Sequence, residues 1–372
     1  MSALATVLAR RSLIVCVGPG GVGKTTVAAA LGIAAARSGR STLVLTIDPA
    51  RRLADALGLR GLDDRARAVP LEAPGAAPLS AAMLDPGASY DALVDRITGD
   101  ADHRRRILGN RVYQVMSRSF GASHAYVAME RLHEAIHAGD HDLVILDTPP
   151  TRNALDILDA PGRLASFLDE GALAWLVRRA SAGPLSRLMS PGVRARGGAA
   201  TSWLLSRVLG EALTGELLEF FELFLSLRQG LRGRAEEVTA LLRAPSTAFV
   251  LTCAPRATSL ADAAYLRDGL AARGVSLSAA VFNAAFTSRP GRPHEPVRAS
   301  TRAARPGLDE ALARLRDAIA RENAAAEAAI DGFALPEACA RVIAPRLDPA
   351  PRTLAAVAEL GALLTAPTLA SA

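Results

Sequence analysis

GPGGVGKTT, residues 18–26, stands between the apolar run SLIVCVG at 12–18 and the alanine-rich run KTTVAAALGIAAARSG at 24–39. The first run is short and β-branched, as a strand buried on both faces is, and the second reads as a helix that ends near Gly39. In that strand–loop–helix context, the pattern GxxxxGK followed by threonine is a phosphate-binding loop. Backbone N–H groups of Gly20, Gly21, Val22 and Gly23 are placed to converge on phosphate oxygens. Those of Lys24, Thr25 and Thr26 join them at the positive end of the helix. The Lys24 ammonium would neutralise β and γ phosphates, and the Thr25 hydroxyl would bind Mg²⁺.

Composition sharpens the importance of that loop. The chain has 372 residues, a formal net charge of +6 and 43 basic residues, of which Lys24 alone is a lysine. A bias toward arginine that spares one position marks a site needing a compact ammonium, because a planar guanidinium cannot imitate it. Half of the residues are hydrophobic, enough for a sizeable core, while no run reaches the roughly 18 apolar residues of a membrane span. The arginines of MSALATVLARRSL follow a short apolar run instead of preceding a long one, so no signal peptide is expected and the location is expected to be cytoplasmic. Cys16, Cys253 and Cys339 lie far apart with no CxxC, which argues against a disulfide framework and a self-contained zinc site.

Further strands are expected at 42–47 (TLVLTI), 142–147 (DLVILD), 247–253 (TAFVLTC) and 278–283 (SAAVFN), with a weaker one at 340–344 (ARVIA). Their alternation with helical segments implies an α/β fold: a mostly parallel sheet covered by helices on both faces. We read residues 1–372 as one domain with helical insertions at about 89–138 and 163–243. The first reads as three helices. The second is apolar around much of its circumference, which suits internal packing or an apolar client. Residues 287–306, rich in arginine and proline, read as a flexible loop; without aromatics or a structured groove, no nucleic-acid partner is expected.

Two carboxylates end strands beside the loop. Asp48, in TIDPARR, can orient or deprotonate an attacking water, and Asp147, closing DLVILD, occupies the Walker-B position that holds the magnesium shell directly or through water. HEAIH at 133–137 matches a zinc-protease pattern, but a third ligand and an open cleft are also needed. No zinc is expected.

These segments, with the closing VIAPRLDPAPRTLAAVAELGALL, resemble in order and over nearly the whole chain the arsenite-pump ATPases and the tail-anchored-protein targeting ATPases. That is one family of P-loop proteins related to the MinD and ParA ATPases. The resemblance implies Mg²⁺-dependent ATP hydrolysis in a dimer that closes on ATP, either a homodimer or a heterodimer with a related ATPase. It also implies coupling to a partner: a hydrophobic protein client, a membrane partner or anion transport. Asp48 becomes the catalytic aspartate of the first switch and Asp147 the aspartate of the second. Asn283 would read adenine, with the backbone at Pro345 and Arg346 completing the wall. A MinD- or ParA-like positioning switch and an ATP-gated binding protein with little hydrolysis are the alternatives.

The sequence also departs from its relatives. Pro19 stands where family members carry a lysine that reaches across the dimer, and Arg51, Arg52 and Arg152 are candidates to replace that cation. Arg256 stands where they place a nucleotide-contacting glutamate. The CxxC of the targeting ATPases is missing, and neither the cysteines nor the five methionines make a metalloid triad or a methionine-lined groove.

Overall fold

The computed structural model describes residues 2–48, 51–84, 86–119, 121–149, 155–160, 162, 210–285, 308–347, 350–351 and 353–366. The described chain groups into two compact units. The first comprises Met1–Leu84, Ala135–Leu155 and Arg243–Ala372; the second comprises Asp85–Glu134 and Asp156–Leu242.

The first unit is built on a sheet of eight strands among the described residues. Strand β1 (Leu13–Val17) leads into helix α2 (Lys24–Arg37), and β2 (Thr42–Thr46) follows. A short helix α3 (Arg52–Ala56) precedes the two-residue β3 (Arg67–Ala68) and β4 (Leu79–Met83). β5 (Leu143–Asp147), β6 (Thr247–Cys253), β7 (Leu277–Phe282) and β8 (Ala340–Ile343) complete it. The strand order is β3-β4-β2-β5-β1-β6-β7-β8. Every pairing is parallel except the edge pair β3–β4. The fold is an α/β P-loop NTPase fold.

Register decides where the chemistry sits. β5 returns between β2 and β1, placing Asp147 beside Cys16 on one side and Thr46 on the other. Ligands of such sheets bind beyond the carboxyl ends of strands where the winding reverses, and the loop after β1 emerges there.

Helix α2 is buried nearly all round. Small alanines let it lie close to the sheet on one side and to the C-terminal helix on the other, so the loop at its N-terminus has a rigid base. The N-terminal segment, which the sequence reading left without an element, is helix α1 (Ala3–Arg10) with Leu4 and Leu8 buried. Its cap Ser2 accepts from the Ala5 amide and donates to the Thr365 carbonyl at 3.0 Å, joining the two ends of the chain.

Two strands differ from the expectation. β4 reads LSAAM and carries no β-branched residue; it is a strand because pairing with β2 buries Ala81 and Ala82. β3 is too short and too exposed to leave a pattern.

The second unit is helical. Instead of three helices, its first segment contains α4 (Pro86–Ile97), α5 (Ala101–Gly109), α6 (Arg111–Ser119) and α7 (Gly121–His137). The extra break comes from Asn110: its side-chain oxygen accepts from the amides of Val112 and Tyr113, starting a new helix at Arg111. α8 (Glu211–Ser226) and α9 (Arg228–Arg243) follow. Phe220, Leu223, Leu231, Val238 and Leu242 are buried, whereas Leu213 is exposed. The apolar stripe of these two helices is therefore used largely for internal packing. Residues 163–209 and 286–307, including the arginine- and proline-rich stretch, lie outside the described residues.

Candidate functional site

The loop begins at Gly18, where no side chain fits: a Cβ there would fall 2.1 Å from the Thr252 carbonyl oxygen on β6. At its other end Gly23 adopts φ 85° and caps α2, its carbonyl receiving the Val27 amide at 2.9 Å. A Cβ at Gly23 would lie 2.4 Å from Asn283 Nδ2. Gly18→Ala is expected to destabilise the first unit by about 3 kcal/mol, because the clash is with backbone. Gly23→Ala is expected to cost about 1–3 kcal/mol, because an L side chain resists positive φ. Urea unfolding of both variants checks the order; equal stability to the parent would refute the packing account.

Lys24 is the first residue of α2. Its ammonium donates to Asp147 Oδ1 at 3.1 Å and, at closer range, to the Thr148 carbonyl. Asp147 is wholly buried, and it accepts from the hydroxyls of Thr25 at 2.8 Å and Thr46 at 3.0 Å as well. An ammonium and two hydroxyl donors together satisfy the buried carboxylate. The Thr46 hydroxyl also accepts from the Asp48 amide at 3.2 Å, so one side chain links the positions of both acids. Thr46 and Thr148 were not singled out in the sequence. A hydroxyl residue two places before Asp48 is the only trace the first leaves.

An open cavity of about 760 Å³ lies over the loop. Its lining includes Pro19, Gly20, Gly21, Gly23, Lys24, Thr25 and Thr26, with Asp48 and Arg52 from the second strand's loop. Asp55, Leu59 and Pro351 line it as well. Arg51 caps α3 and does not line the cavity, and Arg152 is outside the described residues. Val22 is buried beneath, its carbonyl receiving Asn283 Nδ2 at 2.8 Å.

Asn283 therefore braces the loop from β7 instead of lining the cavity. The β8 end lies alongside: the Ala344 amide donates to Phe282 and the Ala285 amide to Ala344. Pro345 is buried there and Arg346 exposed, neither of them in the cavity wall. Arg256 caps the helix after β6 and is exposed.

Thr25 and Asp147 fit Mg²⁺ chemically, since both offer hard oxygen ligands, 2.8 Å apart, and Thr25 lines the cavity. The cysteines differ. Burial, with the nearby Asp147 charge, pushes the Cys16 thiol far up, and burial pushes Cys253 up to about 12 and Cys339 to about 11. All three are therefore held as neutral thiols near pH 7. Of the HEAIH pair, His133 is buried 3.4 Å from Glu237 Oε2 whereas His137 is exposed. Among the described residues, no group of three His, Cys, Asp or Glu side chains could hold a metal. No described helix is long and apolar enough to cross a membrane.

Residues 11–190 match the family described as anion-transporting ATPase, a span that contains the loop, Asp48 and Asp147. Over that span the chain resembles the ArsA-like ATPase family. Its similarity to curated relatives extends past that span. It is 28% identical to the ATPase GET3 of Chaetomium globosum over 82% of this chain and 83% of that one. With the ATPase get3 of Aspergillus terreus it shares 29% identity over 72% and 71%. With that of Schizosaccharomyces pombe it shares 32% over 41% and 44%. The enzyme is an ATPase, and the loop, its lysine and the two acids are its most specific features.

Proposed function

We propose that this ArsA-like ATPase hydrolyses ATP with Mg²⁺ in the cavity over the loop and uses the cycle to handle a hydrophobic protein client. The observation that carries the reading is the convergence of Lys24, Thr25 and Thr46 on the buried Asp147. In the ATP complex, the amides from Gly20 to Thr26 hold the phosphates, and Lys24 turns from Asp147 to the β and γ phosphates. Thr25 and Asp147 would hold Mg²⁺, which would supply positive charge against the phosphates. Asp48, at the cavity wall, orients the attacking water. The adenine end extends beyond the cavity wall to Asn283 and the backbone of Pro345 and Arg346, on the strand ends beside the loop.

Resemblance to the targeting ATPases supports a protein client over a metalloid anion. So does the placement of the cysteines, because metalloid capture needs accessible thiol sulfurs and Cys16 and Cys253 are buried strand residues. Two copies, or this chain with a related ATPase, associate around ATP.

Sedimentation of Asp48→Asn with Mg·ATP and with Mg·ADP tests that association. The mass is expected to double with ATP and to fall back with ADP. Identical sedimentation in both would remove the dimer cycle, and absence of any Mg²⁺-dependent phosphate release by the parent would remove the hydrolytic reading.

A further inference from the structure

Two cations line the cavity among the described residues, and they are held in opposite ways. Lys24 is buried and locked to Asp147 and the Thr148 carbonyl. Arg52, at the start of α3, is 64% exposed, and its guanidinium reaches Asp48 Oδ2 at 3.4 Å. So exposed and long an ion pair contributes little to stability. A stronger anion can take the guanidinium away from it. Phosphoryl oxygens are that anion, because the planar fork of arginine matches them in two parallel hydrogen bonds. Pro19, on the loop side of the same cavity, brings no charge.

We propose that Arg52 reads the terminal phosphate of the nucleotide. With a triphosphate in the cavity, its guanidinium leaves Asp48 and clamps the γ-phosphoryl oxygens; with a diphosphate, it stays on Asp48. The inference rests on the placement of phosphates proposed above. One movement then does two things. It makes the enzyme prefer ATP to ADP, and it takes the guanidinium off the Asp48 carboxylate only when there is a γ-phosphate to attack. During hydrolysis the water oxygen bonds to the γ-phosphorus as the bond to the bridging oxygen breaks. The bridging electron pair leaves with ADP, and the water proton passes through Asp48 to the released phosphate. Arg52 meets the negative charge of that transition state, as an arginine supplied to a phosphoryl group does.

The test uses the full chain and measures equilibrium affinity for Mg·ATPγS and Mg·ADP, together with single-turnover hydrolysis of ATP. Arg52→Ala is expected to weaken ATPγS at least about tenfold and leave ADP within about twofold. It should also slow single turnover about a hundredfold or more, in keeping with arginines that act on phosphoryl transfer. Arg52→Lys should recover part of both losses, since it restores the charge without the fork. The side chain is exposed, so folding is expected to be untouched, and a melting curve verifies this.

Lys24→Ala separates this inference from the reading beneath it. If Lys24→Ala loses both nucleotides while Arg52→Ala keeps the parent's preference and turnover, Arg52 is no reader and the phosphate site stands. Equal weakening of ATPγS and ADP by Arg52→Ala likewise overturns the γ-phosphate role. Should Lys24→Ala bind both nucleotides as the parent does, the phosphates lie elsewhere and the Arg52 role goes with them.

Discussion

Asp48→Asn is expected to cut the steady-state release of phosphate from ATP by about 10² to 10⁴, the range that a positioned acid–base group supplies. The amide keeps the size and the hydrogen-bonding reach of the carboxylate but cannot take a proton from water. Binding should survive, because the phosphate-holding groups are on the loop and α2. Stability should survive too. The pair that Asp48 makes with Arg52 is exposed on the arginine side, and such pairs contribute about 0–1 kcal/mol. A phosphate-release assay beside an ATP-binding isotherm reads both parts. Hydrolysis within a factor of about three of the parent would show that Asp48 does not act on the water.

Lys24→Ala should produce the other large effect, and in two places at once. In the nucleotide complex it removes charged hydrogen bonds to phosphate, each contributing about 1.5–3 kcal/mol, so ATP affinity should fall by about 10² or more. Without nucleotide it takes the counter-charge from a carboxylate that is 0% exposed. Breaking a buried pair by removing one partner costs about 3–5 kcal/mol. The hydroxyls of Thr25 and Thr46 remain on Asp147, which places the expected loss at the lower end. Lys24→Arg should not rescue it, because a planar guanidinium cannot imitate the compact ammonium that bonds both Asp147 and the Thr148 carbonyl. Urea unfolding and a binding isotherm on Lys24→Ala and on Lys24→Ala/Asp147→Asn measure the two terms. The double variant should regain most of the stability and none of the affinity.

Much of this site was legible because its chemistry is local in the chain. The loop needs glycines at set offsets and a helix directly behind it, and one string of nine residues carries all of that. Asp48 and Asp147 were legible for a related reason. Each closes an apolar run, and in a parallel sheet the carboxyl ends of strands face the ligand. What escaped was short or depended on partners. β4 has the composition of a helix and is a strand only through its pairing with β2. The four-helix division of residues 86–137 turned on the side chain of Asn110. Thr46 looked like any strand residue, yet it donates to one acid and accepts from the amide of the other.

From the chain alone came the phosphate loop, its single lysine, the two acid-tipped strands and a parallel sheet, since propensity, spacing and hydrophobic period are properties of neighbouring residues. Tertiary structure decided that β5 lies between β1 and β2, and hence that Asp147 meets Thr25 and Thr46 from more than a hundred residues away. It decided that Arg52, and not Arg51, enters the cavity wall, and that Asn283 holds the Val22 carbonyl. Strand order and side-chain meeting points depend on burial summed over the whole sheet, which no local window of sequence contains.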